Sequence, residues 1–117
     1  TYPYTYLFWY VHIQGIQMTH RTQSLPTPLV DDTARILKCL GHPLRLHILD
    51  FLERSGEATV SEIHEALDVE QAIASQHLIN MRDKGILIRR KEGVNVYYAI
   101  GDARALKVLS CVREAAC

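Results

Sequence analysis

Side chains suited to contact with a nucleic acid occur together in the middle of the chain. Gln71 and Ser75 can read base edges, because a glutamine amide pairs with adenine and a serine hydroxyl both donates and accepts. Further along, Arg89, Arg90 and Lys91 form a cationic run, and such side chains bind phosphate oxygens. The pattern therefore indicates contact with double-stranded DNA, with bases and phosphates contacted by different segments.

The candidate DNA-contacting side chains lie on one helix or on the hairpin after it. Alone, such residues are typical of a solvated helix face and a solubilising strand edge. Their succession along the chain favours DNA contact instead. The full predicted set is Gln71, Ala72, Ser75, Gln76, Arg82, Arg89, Arg90, Lys91 and Asn95.

Three cysteines are the other reactive groups: Cys39, Cys111 and Cys117. Their odd number and wide spacing argue against a secreted disulfide framework and favour a reducing cytoplasm. Three interpretations stay open. The thiols form an oxidisable dithiol switch, they bind a thiophilic ion such as arsenite or copper(I), or they are small inert core residues.

Composition sets limits on the function. A chain of 117 residues with 48% hydrophobic residues and zero formal net charge predicts one small domain, which dimerisation would stabilise. The sequence has no phosphate-binding glycine loop and no nucleophile with a plausible base, so we do not expect an enzyme, and no cofactor is indicated. No apolar run is long enough to span a membrane.

Apolar periodicity predicts the elements that position these groups. A mainly α-helical fold with a β-hairpin is expected, in the order α-α-α-α-β-β-α. Thr59 and Glu62 fit a capping box at the start of the third helix. The helices are predicted at about 29–40, 43–54, 60–67, 70–84 and 103–116, and the strands at 86–91 and 94–100.

The third and fourth helices, joined by the short turn at Asp68 and Val69, form a helix-turn-helix, whose second helix enters the major groove. At 3.6 residues per turn, one side of that helix forms a core stripe and the opposite side carries the polar set. The stripe is predicted to contain Ile73, Ala74, His77, Leu78 and Met81.

The first 28 residues are predicted to be a tail, and residues 29–117 the DNA-binding and dimerisation domain. We expect Met18 to be the natural start and the aromatic-rich residues 1–17, which lack the features of a signal peptide, to come from an upstream reading. The alternative is an apolar arm that packs on the domain or on a partner.

Three segments, residues 36–49, 75–87 and 96–100, together resemble the ArsR/SmtB repressors. Residues 36–49, ILKCLGHPLRLHIL, are similar to the first helical signature of that family. Residues 75–87, SQHLINMRDKGIL, are similar to its recognition-helix signature, and residues 96–100, VYYAI, to its second wing strand. The resemblance implies a winged-helix homodimer joined by its first and last helices. It implies repression of an imperfectly palindromic operator and release by a metal or a thiol-reactive inducer. A winged helix that binds only protein is the alternative from another class.

The sequence also departs from the family pattern. Thr59 and Ser61 stand where one metal-sensing site has its cysteine pair, and Arg104 stands where another has histidine. We therefore expect neither metal site to operate. Cys117 falls where redox-sensing members carry a carboxy-terminal cysteine, but Asp50 replaces its partner.

One departure concerns DNA binding. Glu70 stands where the recognition helix of the family usually opens with serine or threonine. We expect its carboxylate to accept helix amides, and also to repel nearby phosphates.

Overall fold

The computed structural model describes residues 24–116, so the predictions for Met18, for the aromatic amino-terminal segment and for Cys117 lie outside the described residues. Within the described residues, the chain from Asp32 onward forms one compact unit. The helices are α1 (Thr27–Leu40), α2 (Pro43–Ser55), α3 (Val60–Leu67), α4 (Gln71–Asp83) and α5 (Ala103–Ala116). The strands are β1 (Ala58–Thr59), β2 (Leu87–Glu92) and β3 (Asn95–Ile100).

The predicted order of helices and hairpin is confirmed, with β1 as an additional element. Strand β3 is central in the antiparallel sheet, between β1 and β2. Because β1 has only two residues, it shows no alternation that a sequence pattern could reveal. Gly93, in the turn between β2 and β3, has a φ of 61°, which a residue without a side chain adopts at little cost.

A single apolar cluster joins the helices and the sheet. Ile48, Leu49 and Leu52 form the buried side of α2, and Ile63 is the buried residue of α3. Full burial of one such side chain stabilises the fold by about 1.5–3 kcal/mol. Leu78 and Met81 of α4 belong to the same cluster, so packing fixes the side of α4 that faces it.

Polar contacts set where the helices begin. Thr59 Oγ1 accepts a hydrogen bond from the Glu62 amide at 3.2 Å, and the Thr59 amide donates to Glu62 Oε1 at 3.0 Å, so the predicted capping box is confirmed. His42 caps α2, because its Nδ1 accepts from the Leu44 amide at 3.1 Å. Asp68 ends α3 in the left-handed conformation, with a φ of 54°, and so makes the short turn before α4.

Helix α4 lacks the side-chain cap that α2 and α3 have at the residue before the helix. The Glu70 carboxylate makes no cap hydrogen bond to the helix amides in the described chain, so the expectation that it accepts them is wrong. Its backbone is extended, with ψ at 143°, but the longer side chain lacks the short reach of serine or aspartate.

Helix α5 packs on the core and is also attached by arginine pairs. Arg104 bonds Asp32 of α1 and Asp102, and Arg113 bonds Asp50 and Glu53 of α2. The hydrogen bond from Arg104 is the largest cause that lowers the pKa of Asp32, and the one from Arg113 lowers that of Asp50.

Few side chains of α5 are buried. Ala105 and Leu109 enter the core, whereas Val112 is 47% exposed. Leu37 of α1 is also half-exposed. None of the helices described here is long and apolar enough to cross a membrane.

Candidate nucleic-acid interface

Helix α4 presents a buried and an exposed side. Ala74, Leu78 and Met81 are fully buried, and His77 is half-buried, as the predicted stripe requires. The prediction was wrong for Ile73, which is 44% exposed. Successive helix residues are about 100° apart, so Ile73 lies beyond the narrow arc that Ala74, Leu78 and Met81 share.

The exposed side of α4 carries the predicted base-reading residues. Gln71, Ala72 and Gln76 are exposed and form what is called here the ridge of α4. Ser75 is half-buried at the edge of this ridge. Ile79 also belongs to the ridge and is 44% exposed. An amide, a small methyl group and a hydroxyl lie within two turns, which is the range that suits base edges in a major groove.

The cationic run of the wing is split between two faces of the sheet. Arg89 stands opposite Tyr98, and Arg90 stands opposite Tyr97. Successive side chains of a strand point to opposite faces, so Arg89 and Lys91 share one face and Arg90 lies on the other. From the sequence alone the three cations form one group, because three consecutive residues of one type show no difference between the two faces of a strand.

Arg90 is engaged within the protein. Its Nη2 lies 2.7 Å from Glu57 Oε1, its Nη1 bonds Glu92, and its guanidinium lies 4.6 Å from the centre of the Tyr97 ring. These hydrogen bonds, with the one that Arg90 donates to Glu57 as the largest cause, raise the pKa of Arg90. The carboxylates of Glu57 and Glu92 therefore compete with phosphate for Arg90.

The other predicted contact residues are exposed. Arg82 lies in the last turn of α4, and Asn95 begins β3 opposite Glu92 at the hairpin tip. Arg89 and Lys91 are exposed along β2. The ridge of α4 and the wing therefore offer amides and cations to the solvent.

The two described thiols have different environments. Cys39 is 4% exposed, and its Sγ lies 3.9 Å from Asn80 Oδ1 of α4. Cys111 is exposed on α5, and Cys117 lies outside the described residues. Within residues 24–116, no three side chains of histidine, cysteine, aspartate or glutamate are grouped to hold a metal ion.

His77 makes a contact that the sequence did not identify. Its Nδ1 accepts a hydrogen bond from Arg45 Nε at 3.0 Å, so the half-buried imidazole has a polar partner on the inner side of α4. Burial, followed by the charges of His42 and Arg45, lowers the pKa of His77. The signal in the sequence was weak, because Arg45 lies in another helix.

Comparison with known proteins agrees with this geometry. Residues 42–89 match the family described as bacterial regulatory protein, arsR family. The chain is 36% identical over 75 residues to the transcriptional repressor PagR of Bacillus anthracis, an alignment that covers 64% of this chain and 75% of PagR. The chain belongs to the ArsR family. A probable mercury resistance operon repressor of Streptomyces lividans is 34% identical over 92 residues, covering 79% of this chain and 73% of the relative.

Solved ArsR-family structures share the fold. The crystal structure of PagR superposes with a TM-score of 0.69 at 31% identity and covers 74% of this chain and 99% of that chain. The homodimeric winged helix-turn-helix domain of Mb0332 from Mycobacterium bovis gives 0.66 at 30% identity, covering 81% and 90%. This chain is thus a DNA-binding transcriptional repressor of the ArsR family, with the predicted winged-helix fold.

Proposed function

We propose that this repressor acts in the cytoplasm as a homodimer on an imperfectly palindromic operator. Each copy places α4 in the major groove and the Arg89 and Lys91 face of the wing against phosphates. The observation that carries the proposal is the exposed ridge of Gln71, Ala72 and Gln76, opposite a fully buried stripe on the same helix. Residues buried on one side fix the orientation of those on the other.

The apolar exposure of two helices supports a dimer. Leu37 on α1 and Val112 on α5 are about half-exposed, and the resemblance to the family implies that the first and last helices join the copies. Two-fold symmetry then presents two copies of α4 to successive major grooves, about 34 Å apart. The operator is accordingly expected to have two inverted half-sites.

Selection from a random duplex pool followed by a salt series tests this function. The chain should enrich inverted repeats, and its affinity should fall steeply as salt rises, because bound counterions are released on contact. Failure to enrich any duplex, together with salt-insensitive retention of a protein partner, would favour the alternative of a protein-binding winged helix.

Gln71 provides a sharper test of base reading. Replacing Gln71 by Ala should relax the preference at one position of each half-site and cost about 1–3 kcal/mol of discrimination there. Glu65→Ala is the matched control, because Glu65 is exposed on α3, outside the predicted contact set. An unchanged base preference in the Gln71→Ala protein would remove this residue from the reading set.

We further propose that thiol chemistry releases the repressor. Cys111 is exposed and reacts first, whereas Cys39 is buried beside Asn80 of α4, so modification there acts on the recognition helix. With a hydroperoxide as oxidant, a thiolate attacks the peroxide oxygen, gives a sulfenic acid and releases water or an alcohol. A second thiol then displaces water to form the disulfide. The alternative inducer is a thiophilic ion held by Cys39, Cys111 and Cys117.

The reduced protein should be titrated with DNA before and after treatment with peroxide, arsenite or copper(I). Mass spectrometry of the same samples identifies the thiols that changed. Release through Cys111 would be supported if treatment lowers the DNA affinity of the chain with its own sequence and leaves the affinity of Cys111→Ser unchanged. If affinity persists after complete modification of all three cysteines, the thiols are inert core and surface residues.

A further inference from the structure

Arg45 links the end of α1 to the recognition helix. Its Nη1 donates to the Cys39 carbonyl at 2.8 Å, and its Nε donates to His77 Nδ1 at 3.0 Å. Carbonyls in the last turn of a helix lack partners within the helix, so the first bond satisfies the carboxyl end of α1. The second bond reaches α4 next to Gln76, a predicted base-reading residue. One guanidinium therefore spans three helices.

The bond to His77 exists in only one protonation state. Arginine has donors and no acceptor, so His77 Nδ1 must supply a lone pair and its proton must lie on Nε2. Protonation at Nδ1 removes the acceptor and places two cations against each other. The same imidazole lies 4.5 Å from the His42 ring, which adds a second titratable neighbour.

The surroundings allow a proton to reach this contact. A solvent-open cleft of about 450 Å³ between α2 and α4 is lined by Arg45, His77 and Asp83, among others. The titratable or charged groups around His77 are thus Arg45 of α2, His42 at the start of α2, and Asp83 on α4. Asp83 is exposed, whereas Arg45 is half-buried and bonded directly to the ring.

We propose that Arg45 is a positioning residue for the recognition helix, and that protonation of His77 breaks this contact, shifts the orientation of α4 and lowers the affinity for DNA. The inference rests on the proposed DNA-binding function and adds a pH dependence to it. Its sign is diagnostic, because a protonated histidine that acted only by its charge would attract phosphates and raise the affinity.

The experiment measures DNA binding of the full chain from pH 8 to pH 5.5 at constant ionic strength, using a duplex selected at pH 8. His77→Asn is the decisive variant, because an asparagine oxygen takes the place of Nδ1 as acceptor and does not titrate. His42→Asn keeps the cap of α2 and removes the neighbouring imidazole. His47→Gln, an exposed histidine of α2, is the matched control.

On acidification, the unmodified protein and His47→Gln should each lose about tenfold more DNA affinity than His77→Asn loses. The reason is that each copy takes up one proton at His77 when the contact with Arg45 breaks. Equal pH profiles for the unmodified protein and His77→Asn would overturn the inference. Failure of the unmodified protein to bind at pH 8 would instead contradict the proposed function.

The imidazole can also be observed directly. Nitrogen NMR of the unmodified protein at pH 8 should show the tautomer with the proton on Nε2, and Arg45→Gln should raise the pKa of His77. A proton on Nδ1 at pH 8 would refute the positioning bond, whether or not any variant folds.

Discussion

The two faces of the wing give a quantitative test of DNA contact. Arg89 and Lys91 are exposed on one face, so their joint replacement by alanine removes two phosphate contacts per copy and four per dimer. Each neutralised phosphate contributes about 0.9 to the slope of log affinity against log salt, so the slope should become shallower by about 3.6. Between about 50 and 200 mM salt, the unmodified protein should lose about 150-fold more affinity than the variant.

Arg90 supplies the control, because carboxylates already pair with it. Replacing Arg90 and Glu92 together by alanine removes one charge of each sign and keeps the local net charge. The slope of this variant, measured by fluorescence anisotropy on one duplex, should match that of the unmodified protein. If it falls as much as the slope of the Arg89 and Lys91 variant, the division of the wing into a phosphate-binding face and a self-paired face is refuted.

Three further predictions concern stability and the start of α4. Leu78→Ala should lower the free energy of unfolding, measured in urea, by about 2–5 kcal/mol, because Leu78 is fully buried. Ile79→Ala, on the exposed side, should lower it by less than about 1 kcal/mol. Equal effects would contradict the assignment of the two sides. Thr59→Ala should cost about 0.5–2 kcal/mol through loss of the cap, while the neighbouring Ser61→Ala should change little in the same assay. Glu70→Ser should stabilise the protein by about 1 kcal/mol and tighten DNA binding, and weaker DNA binding would show that the carboxylate is used.

The fold could be predicted because its signals are local. The spacing of Ile48, Leu49 and Leu52 marks a helix face, and Thr59 with Glu62 marks a helix start within four residues. Strand β1 could not be predicted, because two residues carry no period and it depends on pairing with β3, far along the chain.

The candidate site was predicted in type but not in detail. The identities of the ridge residues followed from helical projection, yet the exposure of Ile73 depends on how wide an arc its neighbours cover. The pairing of Arg90 with Glu57 and the bond from Arg45 to His77 join residues more than 30 positions apart. Such contacts are set by tertiary packing, which a single sequence does not display.

The sparse burial of α5 has a consequence for how the repressor assembles. A helix that buries Ala105 and Leu109, packs Val108 partly against the core and is otherwise held by solvent-exposed arginine pairs can open before the rest of the domain unfolds. Association of two copies through this helix, as proposed above, would cover Val112 and close that route. Folding of α5 and pairing of the subunits would then be one equilibrium, and the melting temperature is expected to rise with protein concentration.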